Sequence, residues 1–293
     1  MKVLICDPVE KDVVELLKTK LDIQEGSPIG TDADALIVRS RTKVTREVID
    51  SAKNLKVIGR QGVGLDNIDL AAAKERGVVV VNTPEALTES VAELALGLMF
   101  SLARDIPRAD KGMKEGAWLK GKLRQAELSG KTLGVLGLGK IGARLAEICI
   151  GVGMPAIYWS RTRKPDLEER LRLAYVGFID LFRVSDILSI HLALTPDTEK
   201  MVGVRELSLM KRSALFINTS RGAVVDEDAL YDALKNNRLA GAGLDVFSEE
   251  PYKGKLAELP NVVLTPHVGS DTREAQLRSG TDLAQKIIAG LGA

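Results

Sequence analysis

Thr132-Leu133-Gly134-Val135-Leu136-Gly137-Leu138-Gly139-Lys140-Ile141-Gly142 is the stretch on which the fold turns. An apolar run ends in G-x-G-x-x-G, and Ala143-Arg144-Leu145-Ala146 continues with helical spacing. Each glycine answers a steric demand of a strand-turn-helix unit. Gly137 permits the tight turn, Gly139 lets the backbone approach a pyrophosphate, and Gly142 lets helix and strand pack closely. The amides at the helix start, from Lys140 and Ile141, and the helix dipole then face a dinucleotide's phosphates. The motif alone also occurs in turns that are merely close-packed. Its place in a longer strand-helix series gives it weight.

Downstream, strands are expected at 132–136, 156–159, 187–190, 214–218, 241–245 and 262–265, a series that predicts a six-stranded doubly wound sheet. Upstream, short apolar runs at 3–6, 35–38, 57–59 and 78–81 alternate with helical patterns at 9–18, 45–52 and 70–76. That alternation predicts βα units around a second parallel sheet. Residues 88–104 are apolar nearly all round, as in a helix buried on most sides. A last helix, 273–289, has no strand after it and is expected to pack back on the first domain. Residues 112–121 form a polar, Lys-rich link, part helix and part loop.

A chain of 293 residues exceeds what one core usually serves. The expected fold class is therefore α/β with two doubly wound parallel-sheet domains. A Rossmann cofactor domain, 89–267, is inserted in a smaller flavodoxin-like substrate domain made of 1–88 and 268–293.

Lys and Arg number 41 against 40 acids, so no global field draws the chain to nucleic acid or an anionic membrane. Cys6 and Cys149 lie far apart in apolar runs and read as buried thiols, and no ligand spacing suggests a metal. The apolar run Val3-Leu4-Ile5-Cys6 is too short for a signal peptide or membrane span, so a cytoplasmic location is expected.

The end of the second strand after the glycine motif selects the cofactor. A carboxylate there accepts bonds from the adenosine ribose and repels a 2′-phosphate. The chain instead reads Trp159-Ser160-Arg161-Thr162-Arg163-Lys164, with three cations in four residues. Ser160, Arg161 and Thr162 suit a phosphate monoester, which favours NADP(H); a solvated basic loop beside bound NAD is the alternative.

Two histidines limit the choice of a proton carrier at neutral pH. His191 closes an apolar strand and reads as structural. His267 lies in Thr265-Pro266-His267-Val268-Gly269, just past the last strand of the sheet, and carboxyl ends are where such sheets hold ligands. Asn218-Thr219-Ser220-Arg221-Gly222 and Asp245-Val246-Phe247-Ser248-Glu249-Glu250-Pro251 leave two further strands. Arg221 suits a bidentate grip on a carboxylate, and a glutamate such as Glu250 near His267 would hold its ring.

With these segments, the chain resembles the D-isomer-specific 2-hydroxyacid dehydrogenase family over its whole length. The matching blocks are GRQGVGLDNID (59–69), TLGVLGLGKIG (132–142), NTSRGAVVDEDAL (218–230), LDVFSEEP (244–251) and TPHVGSDTREA (265–275). The resemblance implies catalytic roles for Arg221, Glu250 and His267. It implies a substrate-carboxylate loop at Gly62-Val63-Gly64, with Val63 and Gly64 donating amides, and cofactor contacts from Thr219 and from Asp245, which would fix the nicotinamide carboxamide. It also implies a homodimer or higher homo-oligomer.

Within the family the chain is most similar to the D-3-phosphoglycerate dehydrogenases, on Val38-Arg39-Ser40-Arg41-Thr42-Lys43-Val44-Thr45 and on Arg60 before the glycine loop. Arg39 and Arg60 would then hold the substrate's phosphate. The Ser160 to Lys164 stretch is closer to NADPH-using glyoxylate and hydroxypyruvate reductases, and Ala193 stands where the family often has proline. No regulatory domain is expected after the last helix. A glyoxylate or hydroxypyruvate reductase is the first alternative; an NAD(H)-sensing co-repressor of the C-terminal-binding protein type is the second.

Overall fold

A computed structural model describes residues 1–292. The strands are β1 (Lys2–Ile5), β2 (Asp22–Glu25), β3 (Ala35–Val38), β4 (Val57–Arg60), β5 (Val79–Asn82), β6 (Leu133–Leu136), β7 (Ala156–Trp159), β8 (Ala174–Tyr175), β9 (Ile187–Ile190), β10 (Leu215–Asn218), β11 (Gly241–Leu244) and β12 (Val262–Leu264). The helices are α1 (Lys11–Lys18), α2 (Arg46–Ser51), α3 (Leu70–Glu75), α4 (Thr88–Ala103), α5 (Ile106–Lys114), α6 (Lys140–Gly151), α7 (Pro165–Leu171), α8 (Phe178–Val184), α9 (Val204–Leu209), α10 (Glu227–Lys235) and α11 (Arg273–Leu291). They form two compact units, Met1–Ser90 with the chain from Ser270 onward, and Val91–Gly269.

The first unit is a parallel sheet in the order β2-β1-β3-β4-β5. Alternate residues serve opposite faces, as the two-residue period of a strand requires. Val3, Ile5, Ala35, Ile37 and Val57 pack on α1 and α11 through Val13, Leu17, Leu283 and Ile287. Leu4, Leu36, Val38 and Ile58 pack on α2 and α3 through Val48, Ile49, Ala72 and Ala73. Covered on both sides, β3 and β4 are buried at every position. The closing helix lies on this unit because glycines let it approach: a Cβ at Gly280 would meet Val13 at 2.3 Å, and one at Gly59 would meet Ile287 at 2.7 Å. Side-chain caps start α2, α3 and α11, from Thr45, Asp69 and Thr272.

The second unit is a seven-stranded parallel sheet ordered β12-β11-β10-β9-β6-β7-β8. The expected six strands gain β8, a two-residue edge strand whose residues are both exposed. The same reading missed β2 in the first unit, an edge strand with Asp22, Gln24 and Glu25 facing solvent. Short exposed edges carry no apolar alternation and so leave no trace in a hydrophobicity pattern. The chain runs outward from β6 to β8, returns to β9 beside β6, and runs outward again to β12. The order reverses between β6 and β9, where open α/β sheets hold ligands at their carboxyl ends. Residues Ala92, Ala95, Leu98, Met99 and Leu102 of α4 join the core formed with Leu133, Val135 and Ile217.

Cys149 is buried and Cys6 only half-buried; both are free, and burial pushes each thiol up to about 12. Among the described residues no helix is long and apolar enough to cross a membrane.

Candidate active site

The exit of β6 has the geometry that its glycines predict. Gly137 has φ +98°, and a Cβ there would stand 2.6 Å from the His191 carbonyl oxygen after β9. A Cβ at Gly142 would meet the Gly137 oxygen at 2.4 Å and Val135 at 2.9 Å, so helix and strand are in direct contact. Gly139 is different: it is exposed, and nothing lies within 4 Å of its missing Cβ. Lys140 opens the twelve-residue α6 directly after it and Ile141 follows. The first amides of a helix have no intrahelical acceptor. Open space before Gly139 together with those amides fits a dinucleotide's pyrophosphate. Thr219 fits the same group, since its hydroxyl is buried after β10 with no partner.

Three strand exits in this unit bring His267, Glu250 and Arg221 together. His267 Nδ1 is 2.8 Å from Glu250 Oε2, and the Phe247 amide donates to Glu250 Oε1 at 3.1 Å. Burial raises the Glu250 pKa, but the His267 bond and charge, the Phe247 amide and the Arg221 charge outweigh it and hold it below the ordinary value. With Nδ1 engaged, Nε2 is left as the ring's reactive nitrogen. Arg221 donates from Nη1 to the Ser220 carbonyl at 2.7 Å. Asn218 shapes its turn, donating to the Arg221 carbonyl and accepting from the Ser220 amide and hydroxyl. Gly222 then sits flat against the next loop, where a Cβ would lie 1.9 Å from the Phe247 carbonyl carbon.

Asp245 does more than the sequence suggested. Its carboxylate accepts from Thr265 Oγ1 at 2.6 Å, from the Val268 amide at 2.9 Å and from the Gly269 amide at 2.8 Å. These bonds bracket His267, whose φ of +56° is left-handed and uncommon for a residue with a Cβ. Such a conformation persists where its surroundings over-determine it, and Asp245 supplies that restraint. Burial raises the Asp245 pKa against these bonds and against the His267 charge. Replacing Thr265 with valine removes one charge-assisted bond, worth about 1.5–3 kcal/mol. We expect a lower melting temperature and a roughly ten-fold loss in kcat, with cofactor KM within two-fold. Unchanged kcat and melting would mean that the turn holds without Asp245.

After β7, Ser160 is buried and donates to the Thr162 carbonyl at 2.6 Å. Arg161 and Thr162 are exposed, and their side chains take no partner among the described residues. Arg163 departs from the expectation of a shared basic cluster. It is bound to Glu168 through Nε at 2.9 Å and Nη2 at 2.7 Å.

In the first unit, Arg39 and Arg60 stand at neighbouring strand exits, with Val38 paired to Arg60 in register. The Arg39 guanidinium is bound to Asp271 at 2.6 Å, and Asp7 holds the loop through the Arg39 and Thr42 amides and the Thr42 hydroxyl. Arg60 is buried and folds over Gly62, donating to the Gln61 carbonyl at 2.9 Å. Gly62 is fixed by reciprocal bonds with Thr83, and Asn82 donates to the Val63 carbonyl. Val63 is exposed and Gly64 half-buried, and their amides take no partner among the described residues.

His191 is a structural histidine. Its Nε2 is 2.8 Å from the Ser189 hydroxyl, and burial lowers its pKa to about 4. A cavity of about 400 Å³ opens at the amino-terminal end of the sheet, lined by Arg124, Lys131, Asp186 and Arg212 among others, and no candidate residue lines it. The sequence reading missed Asn218, Gly222, Tyr158 and Glu168. An Asn two residues before a serine at a strand exit was the available signal for the first.

The sequence profile of the D-isomer specific 2-hydroxyacid dehydrogenase NAD binding domain matches residues 96–269. The chain is 42% identical to a D-3-phosphoglycerate dehydrogenase of Methanocaldococcus jannaschii, over 98% of this chain and 57% of that protein. It is 43% identical to a hydroxypyruvate reductase of Thermotoga maritima, over 99% of this chain and 98% of that one. It thus spans little more than half of the first relative and nearly all of the second. The solved structure of an NADPH-dependent glyoxylate/hydroxypyruvate reductase from Sinorhizobium meliloti, with NADP and malonate, aligns at a TM-score of 0.90 and 30% identity, over all of this chain and 94% of that one. With that profile across more than half its length and relatives above 40% identical over nearly all of it, the chain belongs to the D-isomer specific 2-hydroxyacid dehydrogenase family.

Proposed function

We propose that the protein is an NADP(H)-dependent oxidoreductase of small D-2-hydroxy acids, with 3-phosphoglycerate as the first candidate substrate. The observation that carries the substrate reading is the pair Arg39 and Arg60 at adjacent strand exits, beside the open amides of Val63 and Gly64. Two guanidinium groups and two amides suit a molecule with an anion at each end.

A bound nicotinamide supplies the hydride acceptor or donor. Gly137, Gly139, Lys140, Ile141 and Gly142, with Thr219, would hold the pyrophosphate, Asp245 would serve the nicotinamide end, and Ser160, Arg161 and Thr162 would serve the 2′-phosphate. Val63 and Gly64 in the first unit offer amides, and Arg221 in the second a guanidinium, each suited to a carboxylate. His267 takes the hydroxyl proton on Nε2 during oxidation and returns it during reduction. Glu250 balances the positive charge that this proton brings. Positioned proton transfer of this kind contributes about 10²–10⁴-fold. Exposed Ile106 and Met113, seven residues apart on α5, with exposed Trp118 beyond it, favour a homo-oligomer.

A second reading, reduction of glyoxylate or hydroxypyruvate, is favoured by a specific observation: both arginines are already bonded inside their own unit. Steady-state kinetics of the native protein and of Arg60→Ala on 3-phosphoglycerate and glyoxylate separate the two. Loss of one phosphate contact should cost kcat/KM about 10- to 100-fold on the phosphorylated acid and leave glyoxylate unchanged. Equal losses on both substrates, or none on either, would move the assignment to the reductase.

A further inference from the structure

The basic loop after β7 is anchored by groups outside it. Glu168, on α7, accepts from Arg163 Nε and Nη2 and also from the Tyr158 hydroxyl at 2.5 Å. Tyr158 is fully buried on β7, and its oxygen accepts the Lys164 amide at 2.8 Å. The Arg163 guanidinium also lies over the Tyr175 ring, 5.7 Å from its centroid. The far half of the loop, Arg163 and Lys164, is thereby tied to β7, α7 and β8. The near half is closed by the Ser160 bond to the Thr162 carbonyl. The arginine left outward with no partner among the described residues is Arg161.

Within the NADP(H) reading above, we infer that Glu168 is a positioning residue for cofactor choice. Through Arg163 and Tyr158 it fixes the 160–164 loop and withdraws Arg163 from the phosphate-binding set, so that Arg161 is the loop's arginine left to read the 2′-phosphate with Ser160 and Thr162. A carboxylate is needed because it accepts a guanidinium edge and a phenol together. First the Arg163 bonds and then the Tyr158 bond hold Glu168 down to about 2, so the tie stays charged at any working pH. Burial, followed by the Glu168 bond, pushes Tyr158 up to about 12, so its proton stays in place to donate. A loop held in shape before the cofactor arrives loses less conformational freedom on binding, a gain expressed only for the cofactor whose phosphate it contacts.

The test is a set of KM values for NADP(H) and NAD(H), with kcat at saturating cofactor, for the native protein, Glu168→Ala, Arg163→Met and the double variant. Arg163 is largely exposed, so its replacement leaves the fold intact and keeps the experiment interpretable if Glu168→Ala is unstable. The expected result is a five- to twenty-fold rise in NADP(H) KM in each single variant, NAD(H) KM within two-fold, unchanged kcat, and a double variant no worse than either single one. Glu168→Gln, which keeps an acceptor, should recover part of the loss. A parallel rise for both cofactors would make Glu168 a general structural residue and overturn the inference. So would a double variant much worse than the singles, because Arg163 would then touch phosphate itself, or a fall in NADP(H) KM in Glu168→Ala. A native protein that prefers NAD(H) overturns the NADP(H) reading and this inference with it; preference for NADP(H) with unmoved variants overturns the inference alone.

Discussion

Replacing His267 with alanine should lower kcat by about two to four orders of magnitude, or ~2.7–5.5 kcal/mol of barrier, while cofactor affinity stays near the native value. The ring is held by Glu250 at Nδ1, and the turn beneath it by Asp245, so the orientation of the imidazole is set within the chain itself. Alanine keeps the backbone bonds to Asp245 and removes only the imidazole. His191→Ala is the internal control. Burial holds that ring's pKa near 4, so it is neutral around pH 7 and bonded to Ser189. Its loss should affect stability far more than turnover. Native-like turnover in His267→Ala, measured with each cofactor, would remove His267 from the mechanism.

The second large effect is a change of cofactor. Ser160→Asp with Arg161→Ala should swing the NADP-to-NAD preference about 10- to 1,000-fold toward NAD, or ~1.4–4.1 kcal/mol. Ser160 is buried at the end of β7 and donates to the Thr162 carbonyl. A carboxylate at that position offers acceptors for ribose hydroxyls and repels a 2′-phosphate. Alanine at 161 removes the outward guanidinium. Because the anchors at Tyr158 and Glu168 remain, the loop should keep its shape, and kcat with NAD should match that of the native protein. Competing initial rates with both cofactors measure the swing. A native preference for NAD would show that the basic loop is only a solvated surface.

What sequence alone made legible follows from which interactions are local. Gly137 and Gly142 were readable because a missing Cβ at fixed spacing has one steric meaning in a strand-turn-helix. The buried strands were readable because residues packed on both faces must be apolar throughout, as at β3, β4 and β9. Glu250 and His267 lay in separate segments, and placing them together depended on the order of strand exits and on family likeness. Partners set by side-chain direction were not readable. Arg163 looked like one more cation in a basic run, yet five residues on Glu168 binds it. Asp245 looked like a ligand contact, yet three of its bonds hold the His267 turn. Arg60 was expected to hold a substrate phosphate, and its burial over Gly62 is set by a fold that its own segment does not reveal.

Gly222 constrains how this scaffold can diverge. A β-carbon would stand 1.9 Å from the Phe247 backbone, so any other residue forces the Arg221 and Glu250 loops apart. Saturation of codon 222 in a selected library should return glycine alone. Exposed Val63 presents its side chain to solvent and faces no such steric veto.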